Sequence, residues 1–131
     1  MIQCKRVYDR VEPSDGQRIL VDRLWPRGVS KAALGLDKWL PELAPSTELR
    51  KQFAHEPDRF AAFRHSYWQA LNQHPEHWMA LLDISEQGTL TLLYGAKDTQ
   101  HNNAQVLAEF LEQALDRRDR PSSAVCYGNE L

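Results

Sequence analysis

Cysteine is scarce in this chain. It occurs only at Cys4 and Cys126, with no Cys-x-x-Cys pair and no zinc-type spacing. That excludes a disulfide framework and reads as two free thiols in a reducing compartment. Long apolar runs are also lacking. The opening stretch Met1-Ile2-Gln3-Cys4-Lys5-Arg6 has no secretory apolar core, and nothing approaches the roughly 20 apolar residues of a membrane span. The expected localisation is cytoplasmic, with no membrane partner. A surplus of one charge is missing as well. The formal net charge is −2, which argues against a wholly basic nucleic-acid binder but leaves room for a local basic patch. There is no Walker loop, no Gly-x-Gly-x-x-Gly and no Gly-x-Ser-x-Gly elbow. No nucleophile stands out, so no reaction class is marked.

What is present suits one globular domain. The chain has 131 residues, 42% hydrophobic and 26% charged, and is large enough to fold on its own core. β-branched and aromatic residues from Ile2 to Tyr8 predict a strand. Ile19-Leu20-Val21 predicts a short strand buried on both faces. Residues 34–40 predict a third strand or an irregular extended piece, bounded by Pro41 and Pro45. Ser46 is a predicted N-cap. Three helices follow, the second opened by Pro57, the third by Pro75 and closed by Gly88. Thr89-Leu90-Thr91-Leu92-Leu93-Tyr94 is the clearest strand. A polar loop then leads into an amphipathic helix carrying Ala104, Leu107, Leu111 and Ala114. The expected fold is α/β: a small, mainly parallel or mixed central sheet with packed helices, in the order strand, strand, mixed segment, three helices, strand, helix. Residues 1–118 form the expected single domain, and 119–131 a loosely ordered C-terminal tail.

In such sheets ligands bind beyond the carboxyl ends of the strands. Two segments fall there. The first holds Arg18, Arg23, Arg27 and Lys31 against the single acid Asp22, a concentration of positive charge in an acidic chain. Arginine's planar fork suits carboxylate and phosphate, and Trp25 offers a flat face for a ring. The second is the loop Gly95-Ala96-Lys97-Asp98-Thr99-Gln100-His101-Asn102, which enters a helix whose first N–H groups can cradle an anion. The two segments are expected side by side. Arg23, Trp25, Arg27, Lys97 and Asn102 are the candidate binding residues. Asp22, Asp98 and His101 are the candidates for proton transfer. The bland alternatives are that Trp25 plugs the core, Arg23 pairs with an acid, and an asparagine caps the helix. His65, His74 and His77 lack a complete ligand set with recognised spacing, so no metal and no cofactor are expected.

The stretches Val21-Asp22-Arg23-Leu24-Trp25-Pro26-Arg27-Gly28, Trp39-Leu40-Pro41-Glu42-Leu43-Ala44-Pro45-Ser46 and Leu92-Leu93-Tyr94-Gly95-Ala96-Lys97-Asp98, the last followed by His101-Asn102-Asn103-Ala104, resemble the YeaO-like proteins. This family is of the domain-of-unknown-function type, number 488. The resemblance implies a compact α/β domain of this length and no established activity. Longer relatives carry a Cys-His-Arg cluster near the last block. Here that region reads His101-Asn102-Asn103, so cysteine chemistry is not carried over.

Three functions compete. The chain is expected to act as an enzyme or sensor on a small phosphorylated or carboxylated molecule. The alternatives are a nucleic-acid module, with Trp25 stacking a base, and a partner-binding protein that presents Trp25.

Overall fold

The computed structural model describes residues 1–119. Apart from Asp119, the expected tail lies outside the described residues, and so does Cys126. The strands are β1 (Ile2–Arg6), β2 (Gln17–Leu20), β3 (Lys38–Trp39) and β4 (Leu90–Tyr94). They form one sheet in the order β1-β4-β2-β3. Every neighbouring pair is parallel, from Ile2 opposite Leu90 to Leu20 opposite Trp39. The helices are α1 (Lys31–Leu34), α2 (Thr47–Phe53), α3 (Phe60–Gln73), α4 (Met79–Gln87) and α5 (Asn103–Asp119). The fold is thus α/β, in the expected order. The extended piece expected over residues 34–40 is shorter than that. Leu34 closes α1, Gly35 turns the chain in the left-handed region, and only Lys38–Trp39 pair with β2.

Alternation along the strands gives the sheet two different faces. Ile19, Val21, Leu90, Leu92 and Tyr94 face one way, into the main core. There they meet Phe53, Phe63, Tyr67, Leu81 and Leu107 from α2, α3, α4 and α5. Leu20 and Leu93 face the other way, with Val7 and Leu34. This second face also buries charge. Lys5 Nζ lies 3.0 Å from Asp15 Oδ1, and Arg18 Nη1 bonds the other oxygen of Asp15. Arg18 Nη2 donates to the Leu34 carbonyl at 2.8 Å. Thr91 Oγ1 donates to the Asp15 carbonyl at 2.6 Å. Arg18 is therefore a structural cation that ties the chain before β2 to the end of α1. It does not belong to the basic surface segment in which its sequence position puts it.

The proline-led turns act as starters for helices. The 3-10 turn Pro57–Arg59 runs directly into α3, and Pro75–His77 sits just before α4. Ser46 Oγ accepts from the Leu49 amide at 3.1 Å, which caps α2 as its residue type predicts.

Candidate functional site

β2 and β4 are neighbours, so the chain leaving each starts from the same edge of the sheet. It leaves toward opposite faces: α1 follows β2 onto the second face, and α5 follows β4 over the main core. A crevice opens where two parallel connections part in this way. Asp22 stands in it. Its Oδ2 accepts from the Gly95 amide at 2.8 Å, and its Oδ1 from Asn103 Nδ2 at 3.1 Å. Asn103 Nδ2 also donates to the Val21 carbonyl at 3.1 Å. A methyl group on Gly95 would stand 3.3 Å from Asp22 Oδ2, so glycine permits this close approach. The two segments flagged in the sequence are thereby joined. Burial pushes the Asp22 carboxyl above its ordinary value, while the Gly95 amide, the Asn103 amide and the charge of Arg50 pull it back.

Beside Asp22 lies a cleft of about 230 Å³. Ala96, Asn102 and Asn103 form its α5 side. Ala44 and Pro45, just beyond β3, form another wall. The fully buried Tyr67 steadies that wall by donating to the Leu43 carbonyl. Phe53 and Phe63 give an apolar lining, stacked with centroids 4.8 Å apart. Three basic side chains complete the rim: Arg23, Arg50 and His55. All three residues are exposed. Arg23 reaches the Pro45 carbonyl at 3.4 Å. His55 is presented by an unusual backbone. Ala54 and His55 both have positive φ, 49° and 55°, with no glycine to ease the left-handed turn.

Of the candidate residues, Asp22, Arg23 and Asn102 line this cleft. Asn102 does so as a helix cap. It is 2% exposed, its Oδ1 takes the Gln105 amide at 2.9 Å, and its Nδ2 donates to the Asp98 carbonyl at 2.9 Å. Trp25, Arg27, Lys97, Asp98 and His101 are not among the lining residues. Trp25 packs on the small core of the second face, edge-on to Trp39 at 5.6 Å, with its indole N–H on the Val29 carbonyl at 2.7 Å. Arg27 is exposed, and its carbonyl accepts from Tyr8. Lys97 is exposed. Asp98 closes its own loop. Its Oδ1 accepts from the Gln100 and His101 amides, both at 2.9 Å, and its Oδ2 meets His101 Nδ1 at 2.9 Å. Those donors hold the Asp98 carboxyl below its ordinary value. The loop expected to cradle an outside anion thus already holds a carboxylate of the protein.

Sequence reasoning missed Arg50, His55, Phe53, Phe63 and Asn103. Arg50 reads as an ordinary cation near the end of a helix. Nothing in Ala54-His55 announces a left-handed pair. The one available signal was the proline-bounded block ending in Pro45, which had to pass close to β2.

A family model described as the inactive DUF488-N3 subclade matches residues 1–128. The chain belongs to this family. Its relatives include the uncharacterized protein YeaO of Escherichia coli strain K12, 56% identical over 110 residues, which are 84% of this chain and 96% of the relative. Another is the uncharacterized protein Rv3073c of Mycobacterium tuberculosis, 35% identical over 111 residues, 84% of this chain and 92% of the relative. No solved structure matches the chain. The family resemblance read from Leu24-Trp25-Pro26-Arg27-Gly28 and its companion blocks is therefore correct. No described helix is long and apolar enough to cross a membrane.

Proposed function

We propose that this DUF488-family protein binds a small carboxylate- or phosphate-bearing molecule in the cleft and carries out no chemistry on it. The observation that carries this reading is the convergence of Arg23, Arg50 and His55 on one cleft that also has an apolar wall of Ala44, Pro45, Phe53 and Phe63, with Asp22, Asn102 and Asn103 on its remaining side. Guanidinium groups pair with carboxylate and phosphate through parallel N–H donors. Phe53, Phe63 and Pro45 offer a surface for a short apolar body on the same molecule. The volume is below the roughly 300–1,000 Å³ of drug-sized sites, which favours a compact ligand.

Binding without turnover is favoured for two reasons. The cleft is lined by no serine, threonine, cysteine or lysine among the described residues, and of its proton-transfer side chains Asp22 has both oxygens engaged by Gly95 and Asn103 while His55 stands at the exposed rim. The family description, an inactive subclade, agrees. Asp22 acts in this reading as the tie between the β2 and β4 loops rather than as a base. The nucleic-acid alternative needs Trp25 on a base with the neighbouring arginines on phosphates; Arg23 lines the cleft, but Trp25 and Arg27 do not.

Calorimetric titration with inorganic phosphate and with phenyl phosphate tests the proposal. Both should bind, phenyl phosphate more tightly because its ring gains the apolar wall. Arg23→Gln with Arg50→Gln should weaken both by at least about tenfold, the loss expected for charge-assisted hydrogen bonds. Failure of both ligands to bind, or unchanged binding in the double variant, would refute it.

A further inference from the structure

The turn between α3 and α4 carries a second group of converging side chains, remote from the cleft's lining. It reads His74-Pro75-Glu76-His77, and residues 75–77 form a 3-10 turn. In 3-10 geometry side chains three apart eclipse one another. His74 and His77 are three apart, and their rings lie parallel within 9° at a centroid distance of 4.8 Å. Glu76 closes the group from the same side. Its Oε2 is 3.1 Å from His74 Nδ1 and 3.7 Å from His77 Nε2. All three donor atoms lie within 4.8 Å of one another.

We propose that His74, Glu76 and His77 bind one borderline divalent transition-metal ion, of which Zn²⁺ is the probe of choice. Metal–nitrogen and metal–oxygen bonds of about 2.0–2.2 Å at the tetrahedral angle put donor atoms about 3.3–3.6 Å apart. The two separations from Glu76 bracket that value, and the His74 and His77 rings, now parallel, bring both lone pairs onto one ion by turning about their χ2 bonds. Two imidazoles and a carboxylate suit zinc, nickel or copper rather than calcium or magnesium. Three protein donors leave the remaining position to water, the open arrangement of a zinc site. The scaffold is stiff. The His77 amide donates to the His74 carbonyl at 3.0 Å, and the Trp78 amide to the Pro75 carbonyl at 3.2 Å. The neighbouring Trp78 is buried, with its indole N–H on the Leu71 carbonyl at 2.7 Å. Proline fixes the backbone between the two histidines. From sequence the spacing matches no recognised zinc pattern. It becomes a donor set only because the turn is 3-10.

Titration of the protein with zinc chloride, by calorimetry and by amide NMR shifts, decides this. One equivalent should bind with micromolar affinity, and the shifts should centre on residues 74–78. His74→Ala and His77→Ala should each weaken binding by more than about tenfold, and Glu76→Gln should also weaken it. Arg50→Gln, in the cleft, should leave zinc affinity unchanged, so the two sites fail or stand separately. His74 and Glu76 are exposed, and unchanged thermal melts would show that the variants fold. No binding below millimolar zinc, zinc binding that survives His77→Ala, or affinity untouched by Glu76→Gln would overturn the three-donor site.

Discussion

Asp15 and Asp22 are both carboxylates packed against the sheet, and their surroundings push them in opposite directions. Burial opposes ionisation of Asp15, but the Glu12 amide, Lys5 and Arg18 outweigh it and hold the carboxyl below its ordinary 3.8. The folded state then binds fewer protons than the unfolded chain, so Asp15 adds stability above that value and loses it as pH falls through the folded value. Asp15→Asn should destabilise the protein by about 3–5 kcal/mol at neutral pH, since it leaves Arg18 buried without its partner. Denaturant unfolding at a series of pH values should show the gap between variant and parent closing below about pH 4. A gap that stays constant into acid would mean the ion pair is not the source. Asp22 differs, because its folded carboxyl is raised by burial, so its ionisation costs stability that is lost as pH rises from the ordinary 3.8 through the raised folded value. Its value lies in the acceptors it offers. Asp22→Ala removes the partner of the Gly95 amide and should lower stability by about 1–3 kcal/mol. A melt equal to the parent's would show that water replaces the carboxylate without loss. Asp22 was legible in the sequence as a lone acid following an apolar strand. Its donors were not, because Gly95 and Asn103 are more than 70 residues away in the chain.

At the scale of elements, α2 shows most clearly what the sequence conceals. Its start is written in residue types: Ser46 caps it, and Glu48 lies in the first turn. Its end is not. The chain leaves through Ala54 and His55, both left-handed and neither glycine, while the Ala54 amide donates to the Arg50 carbonyl and the Glu56 amide to the Phe53 carbonyl. A left-handed alanine costs roughly 1–2 kcal/mol, and the turn persists because Phe53, Phe60 and Phe63 pack around it. Ala54→Gly should therefore raise stability by up to about 1 kcal/mol, less than the full relief because glycine gains freedom in the unfolded chain. Chemical denaturation would register it, and a loss of stability would mean the turn is unstrained. The strands and the long helices were readable from their apolar periods, and so was the loop–helix boundary at Asn102. In the loop 95–102 the sequence marks Asp98 as a base or as a group that orients Lys97 or His101, but not its local bonds to the Gln100 and His101 amides, which depend on the backbone path. For Trp25 the sequence left a ring platform and a core plug both open, and its place against the second face of the sheet follows only from the strand order.

For the whole molecule, the decisive feature is a parallel sheet whose carboxyl edge gathers the chain after β2, β3 and β4 around one cleft. Parallel pairing sets all three departures at the same end, and the crossover through α2 and α3 brings Arg50 and His55 back over it. The core that holds this arrangement is continuous from Ile19 through Leu111, and residues 74–77 contribute no side chain to it. Thermal melts of protein prepared free of metal, with and without a strong chelator, should therefore superimpose, whereas added zinc should raise the midpoint by mass action; failure of the metal-free protein to fold would show that a metal is required. The proposed seat of the anion is the cleft and not the loop 97–101. An amide NMR titration with phenyl phosphate tests it most directly. Shifts are expected at Arg50, His55, Gly95, Ala96 and Asn103, with Lys97, Gln100 and His101 still. Shifts concentrated on Lys97, Gln100 and His101, with Arg50 and His55 unmoved, would contradict it.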